Sequence, residues 1–173
     1  MKRSSTISES RKRLTKPHLL PDRRLAFALQ AAFPAPQSRP ADALQPLGRG
    51  DVLSLQIAHA DTLAQILSGQ GTAQTLWDWE ANVLMWSHAA DLAGLGQDDM
   101  GEQLQLCLDL IARWRRTGRV GFDGTGLQLA RHGVDVMDAL ARQVPTDIAR
   151  AAAHWSEQQL ARMRADSEER TPA

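Results

Sequence analysis

One cysteine in 173 residues cannot form an internal disulfide, and no group of Cys and His has the spacing of a zinc knuckle. No apolar run approaches the roughly 20 residues that span a bilayer, which excludes a membrane-spanning helix. Strand-like alternation is absent, and so are a Gly-x-Ser-x-Gly elbow, a phosphate loop and a dinucleotide fingerprint. Residues 51–112 contain no Lys or Arg at all. What is left is a chain of one-domain length with tails, and its informative features are charge and periodicity.

The formal net charge of zero is a cancellation. Residues 1–24 carry eight basic side chains, Lys2, Arg3, Arg11, Lys12, Arg13, Lys16, Arg23 and Arg24, against Glu9 and Asp22. Residues 51–112 carry nine acids. The first 24 residues have too little apolar surface to offset the entropy of ordering, so they are expected to be a disordered basic arm. In 25–50 the expectation is a short helix followed by an Ala/Pro-rich linker. Residues 22–33 place Leu25, Ala28, Leu29 and Ala32 on one helical face, and Pro34, Pro36, Pro40, Pro46, Gly48 and Gly50 then interrupt regular structure. A signal peptide would also begin basic and turn apolar. Here the apolar run is nine residues long, broken by Gln30, and follows a 24-residue polar lead. Arg outnumbers Lys 17 to 3 in a chain rich in Ala, a usage typical of GC-rich bacterial coding, and a cytoplasmic bacterial protein is expected.

From residue 51 the apolar residues recur at helical spacing. Leu53, Ile57, Ala60, Ala64 and Leu67 form a first stripe, ended by Gly69. Leu76, Trp79, Val83, Trp86, Ala90 and Ala93 form a second behind Thr72. Met100, Leu104, Cys107, Ile111 and Trp114 form a third, with Asp99 and Glu102 at capping-box spacing and Gly118 as its stop. Leu127, Ala130, Val134, Met137, Ala141 and Val144 form a fourth, with Thr125 and Gln128 as a second box, ended by Pro145. Ala149, Ala153, Ser156, Leu160 and Met163 form the last. Each stripe is too weak to hold its helix alone in water. Together they predict an all-α, antiparallel helical bundle of about five helices over 51–165, preceded by the basic arm and followed by an acidic flexible tail at 166–173. Trp79, Trp86 and Trp114 are expected in the core, with Trp77 and Trp155 beside it.

Three histidines precede an acid by three residues: His88 with Asp91, His132 with Asp135, and His154 with Glu157. A di-iron bundle requires the opposite order, Glu-x-x-His, so these pairs read as solvated helix surface and no metal is expected. Cys107 lies among leucines on a buried stripe, with no basic neighbour in sequence to favour its thiolate, and reads as a packed small hydrophobe. Residues 121–126 are glycine-rich but follow a helix, not a strand, and read as a turn. Thr75, Leu76, Trp77, Asp78, Trp79 and Glu80 echo a recognition helix, yet they sit in the cation-free segment that phosphates would repel. No catalytic residue and no cofactor is therefore assigned, and the chain reads as non-enzymatic. Nucleic-acid or anion contact is assigned to the eight basic residues of the arm and to Arg113, Arg115, Arg116 and Arg119 near the end of the third helix. Those four arginines also complement that helix's dipole.

At residues 116–127 (RTGRVGFDGTGL), and again at Leu19, Leu20, Pro21 and Asp22, the chain resembles a loose group of short proteobacterial helical proteins. Many of these are associated with plasmids or integrating elements, and some are labelled Fis-like transcriptional regulators. The resemblance implies a regulatory, nucleic-acid-associated role, but no functional residues are established for the group, so none carries over. Fis-type proteins read DNA with a basic C-terminal helix-turn-helix, whereas this chain ends with Asp166, Glu168 and Glu169 against Arg170.

The expectation is an accessory or regulatory protein contacting nucleic acid or an acidic partner through its arm. The alternative is a protein-interaction module whose acidic bundle face, including Asp78, Glu80, Asp98 and Asp99, binds or antagonises a nucleic-acid-handling protein. A protein partner or self-association fits either reading.

Overall fold

The structure, a computed structural model, describes residues 45–169, with side chains as far as Met163. It consists of five helices: α1 (Arg49–Leu67), α2 (Ala73–Ala93), α3 (Gln97–Thr117), α4 (Gly124–Gln143) and α5 (Thr146–Glu169). Among the described residues there is no strand, only an isolated bridge between Pro46 and Pro145. The all-α bundle expected from the stripes is therefore present. α5 continues to Glu169, past the boundary drawn at residue 165.

The helix ends follow from local chemistry. At α2 the Thr72 hydroxyl accepts from the Thr75 amide, and the Thr75 hydroxyl accepts from the Thr72 amide, both at 3.2 Å, which satisfies two otherwise orphaned donors. The boxes expected for the next two helices are not formed. α3 begins earlier, at Gln97, because Gly96 takes a left-handed φ of +65° and its carbonyl receives the Met100 amide at 3.0 Å. Asp99 is thereby freed to bond His132 of α4 at 3.0 Å. α4 is capped by Asp123 in place of Thr125, with its Oδ1 accepting the Gly126 amide at 2.8 Å. Val144 is extended ahead of Pro145, which ends α4 and starts α5 in one step.

α2 is the centre of the fold. It packs against all four other helices, most extensively against α5 and α3, while α4 packs against α1 and α3. Trp79, Val83, Trp86, Ala89 and Ala90 are wholly buried, and polar Thr75, Asp78, Glu80 and Asn82 are buried with them on the remaining faces. A helix buried all round cannot be amphipathic in the ordinary sense. The recognition-helix echo at Thr75 to Glu80 thus belongs to the innermost helix, and it presents no face to a DNA groove.

The bundle has two distinct ends. The Thr146 amide and hydroxyl both donate to the Gln45 carbonyl, at 2.9 and 2.7 Å, fixing the start of the described chain beside the α4–α5 turn. At the other end Gly71 lies against Val120, so the α1–α2 turn meets the α3–α4 turn. α1 therefore runs the length of the bundle, antiparallel to α4.

Four of the five expected stripes enter the core, with Leu104, Ile111, Trp114, Leu127 and Val134 half-buried at its margin. On α4 the stripe is accompanied by Gly133, which leaves room for the buried amide of Gln103; that amide donates to the Leu129 carbonyl at 3.0 Å. The exception is α1. Leu53, Ile57, Ala60, Ala64 and Leu67 face solvent, with Leu53 56% and Ile57 60% exposed. The face that packs is Leu55, His59, Thr62, Leu63 and Ile66, roughly 140° away at 100° per residue. α1 carries apolar residues on two faces, and the one that finds polar as well as apolar partners is the one taken inward.

Candidate functional site

The arm residues Lys2, Arg3, Arg11, Lys12, Arg13, Lys16, Arg23 and Arg24 lie outside the described residues. The other four assigned cations do come together, over the last turn of α3 and the loop after it. Gly118 ends α3 with a left-handed φ of +70°. The Thr117 hydroxyl donates to the Arg113 carbonyl at 2.8 Å and receives the Arg119 amide at 3.2 Å, which ties the loop to the helix. Arg115, Arg116 and Arg119 are exposed and Arg113 is half-buried. Among the described residues none of the four forms an ion pair.

Beside them lies a cleft of about 200 Å³ between α3 and α4. Leu106, Leu110, Phe122 and Leu129 give it an apolar wall, and Asp109, Arg113 and Asp123 line it as well. Phe122 meets the buried Trp79 edge-on with ring centres 5.6 Å apart, so the turn bearing this cleft is anchored to the core of α2. The cations therefore stand on a fixed platform at the end of the bundle where the α1–α2 and α3–α4 turns meet.

The acids of 51–112 do not make one face. Asp78 and Glu80, expected on an acidic surface, are 4% and 8% exposed inside α2's packing, because α2 is surrounded by helices. Burial pushes the Glu80 carboxyl up to about 6, and the positive charge of Arg115 acts in the opposite direction. Asp99 is engaged with His132; Asp91, Asp98, Glu102 and Asp109 are exposed.

Among the described residues each histidine of the three pairs meets a partner other than the acid three residues after it. His132 bonds Asp99 of another helix, His154 contacts Gln158 at 2.9 Å, and His88 stacks on Trp155 at 4.3 Å, which also accounts for the half-burial of that tryptophan. No three metal-ligating side chains converge among the described residues. Cys107 is buried, and burial together with the nearby Glu80 carboxylate holds its thiol strongly protonated, unlike a nucleophilic cysteine.

One polar constellation escaped sequence reasoning. His59, fully buried, accepts from the Trp86 indole N–H at its Nε2 (2.9 Å), and its Nδ1 meets Asp138 Oδ1 at 3.1 Å. Gln56 donates to the second oxygen of Asp138 at 3.1 Å. An indole nitrogen can only donate, so His59 Nε2 is unprotonated and Nδ1 carries the hydrogen that Asp138 receives. The pair resembles the base and orienting acid of a catalytic triad, but the nitrogen that would accept a substrate's proton is already occupied by Trp86. It joins α1, α2 and α4 as a structural relay. The available signal was α1's second apolar face, on which His59 follows Leu55 by one turn.

The chain matches no protein-family model, no curated protein and no solved structure.

Proposed function

We propose that the chain is a non-enzymatic helical accessory or regulatory protein of a bacterial cytoplasm, associated with a mobile element, and that it contacts a polyanion. The arm supplies most of the contact, and the cationic end of α3 supplies the rest. Nucleic acid is the polyanion this chemistry fits best, with an acidic protein partner as the other candidate. The supporting observation is the exposure of Arg115, Arg116 and Arg119 on one end of the bundle, with no close ion pair to any of them among the described residues and only Arg115 acting, on Glu80, as a counter-charge. Guanidinium groups held in that state are suited to bidentate contact with phosphate, and they add to the charge of an arm carrying eight basic groups against two acids. The burial of Asp78 and Glu80 removes two of the acids on which an acidic decoy surface would depend.

Fluorescence anisotropy with labelled duplex DNA and single-stranded RNA across a salt series tests the reading. Each neutralised phosphate contributes about 0.9 to the log–log salt slope on duplex DNA, so replacing Arg115, Arg116 and Arg119 by Ala should lower its magnitude by about 2 to 3, and removing residues 1–24 should lower it further still. Binding whose salt dependence is unchanged without residues 1–24 would overturn the proposal, as would no binding at low salt.

A further inference from the structure

The outward face of α1 has the composition of an interior. Leu53, Ile57, Ala60, Ala64 and Leu67 follow one another at steps of four and three, the spacing of a helix-packing seam, and all five are exposed. Isolated exposed leucines are ordinary, but a continuous apolar row along a whole helix marks a contact surface. Leu92, Leu95 and Leu108, the other large exposed apolar residues, form no such row.

We infer that the first half of this face, Leu53, Ile57 and Ala60, is covered in cis by residues 25–33 of the same chain, and this deepens the reading above, because it fixes where the basic arm is tethered. Three observations select that occupant. The first is composition: LAFALQAAF is the apolar segment of the first 44 residues, and Leu25, Ala28, Leu29 and Ala32 share one helical face. The second is reach. The described chain starts at Gln45, held beside the α4–α5 turn by Thr146, which is also the end at which α1 begins. Residues 34–44 can span about 36 Å when extended, more than the roughly 28 Å length of the 19-residue α1, so every position of the stripe is accessible. The third is charge. α1 has Arg49 at its first position and no Lys or Arg further on, Asp61 stands next to Ala60 at the flank of the stripe, and the apolar segment is preceded directly by Arg23 and Arg24. With Leu29 abreast of Ile57 in antiparallel sense, those arginines come level with Asp61. A second copy fits less well. An antiparallel pair of α1 helices centred on Ala60 would bring the two copies' Asp61 side chains together on one flank of the seam.

The consequence for function is directional. A segment lying antiparallel on α1 leads the chain from the α4–α5 end toward the end that carries Arg115, Arg116 and Arg119. Residues 1–24 are then delivered to the side of the bundle where the exposed arginines stand, and a single polyanion can meet both.

The test uses the full chain with Ile57→Cys, a position exposed enough to accept the change without repacking, and measures alkylation of that thiol by a maleimide. Cys107 is buried, and the unsubstituted chain gives its background. Cys at position 57 should react at least about tenfold more slowly than an unstructured thiol, equally at high and low protein concentration, and Leu25→Asp with Leu29→Asp in the same chain should restore fast labelling. Fast labelling in the parent, or protection that survives the two Asp substitutions, overturns the inference. Protection that fades on dilution assigns the face to a second copy and likewise overturns it. No nucleic acid is present in this assay, so its failure is distinct from failure of the salt titration.

Discussion

Glu80 shows how much one buried carboxyl can set. Its folded-state pKa of about 6 lies above the ordinary 4.5, because α2 is enclosed by other helices and Arg115 compensates only in part. The unfolded chain gives up this proton more readily than the folded one. The penalty is therefore absent below about pH 4, develops as pH rises through the interval from 4.5 to about 6, and is complete above it. At 1.36 kcal/mol per pH unit the full penalty is about 2 kcal/mol. Glu80→Gln should accordingly stabilise the bundle by about 1 to 2 kcal/mol at pH 7.5 and have no effect near pH 4, read from denaturant melts at both pH values. An equal shift at both would show that the gain comes from shape and not from charge.

At the level of elements, the question is which side of a helix the fold takes inward. Leu55 has no exposure and Ile57 is 60% exposed, although they are two residues apart and similar in size. In a chain begun at Gln45, Leu55→Ala should cost about 2 to 5 kcal/mol by leaving a cavity, and Ile57→Ala less than about 1. Urea unfolding of the two variants checks this, and equal losses would contradict the orientation of α1. The same contrast marks the limit of the sequence as a guide. For α3 to α5 the three-and-four stepping named the core side because each has one dominant apolar row, and for α2 the row it named is buried along with the remaining faces. α1 has two, and periodicity ranks rows by apolar content alone. It could not weigh His59, whose place inside depends on a tryptophan 27 residues away and an aspartate 79 residues away. The caps of α3 and α4 were misplaced for a related reason. Spacing identified residues able to form a box, whereas the left-handed Gly96 and the extended Asp123 decided where each helix begins. The arginine cluster was legible because it is contiguous in sequence. The cleft beside it was not, since its walls come from two helices and a turn.

At the scale of the whole molecule, the position of residue 45 matters as much as any helix. The sequence places a linker up to residue 50, but the structure ties residues 45–47 to the body. Leu47 is 7% exposed and packs into the core, Pro46 bridges to Pro145, and the Gln45 carbonyl takes both donors of Thr146. Burying one leucine contributes about 1.5 to 3 kcal/mol, and each retained hydrogen bond adds about 0.5 to 1.5. A chain begun at Asp51 should therefore be less stable than one begun at Gln45 by about 2.5 to 6 kcal/mol, with both keeping the helical circular-dichroism signature at low temperature. Matching urea midpoints would mean that the bundle closes without this clamp. The clamp also fixes the starting point of everything upstream. Because the chain leaves the body at the α4–α5 turn and α1 begins within a few residues of it, whatever precedes Gln45 starts at the end of the bundle where α1 begins.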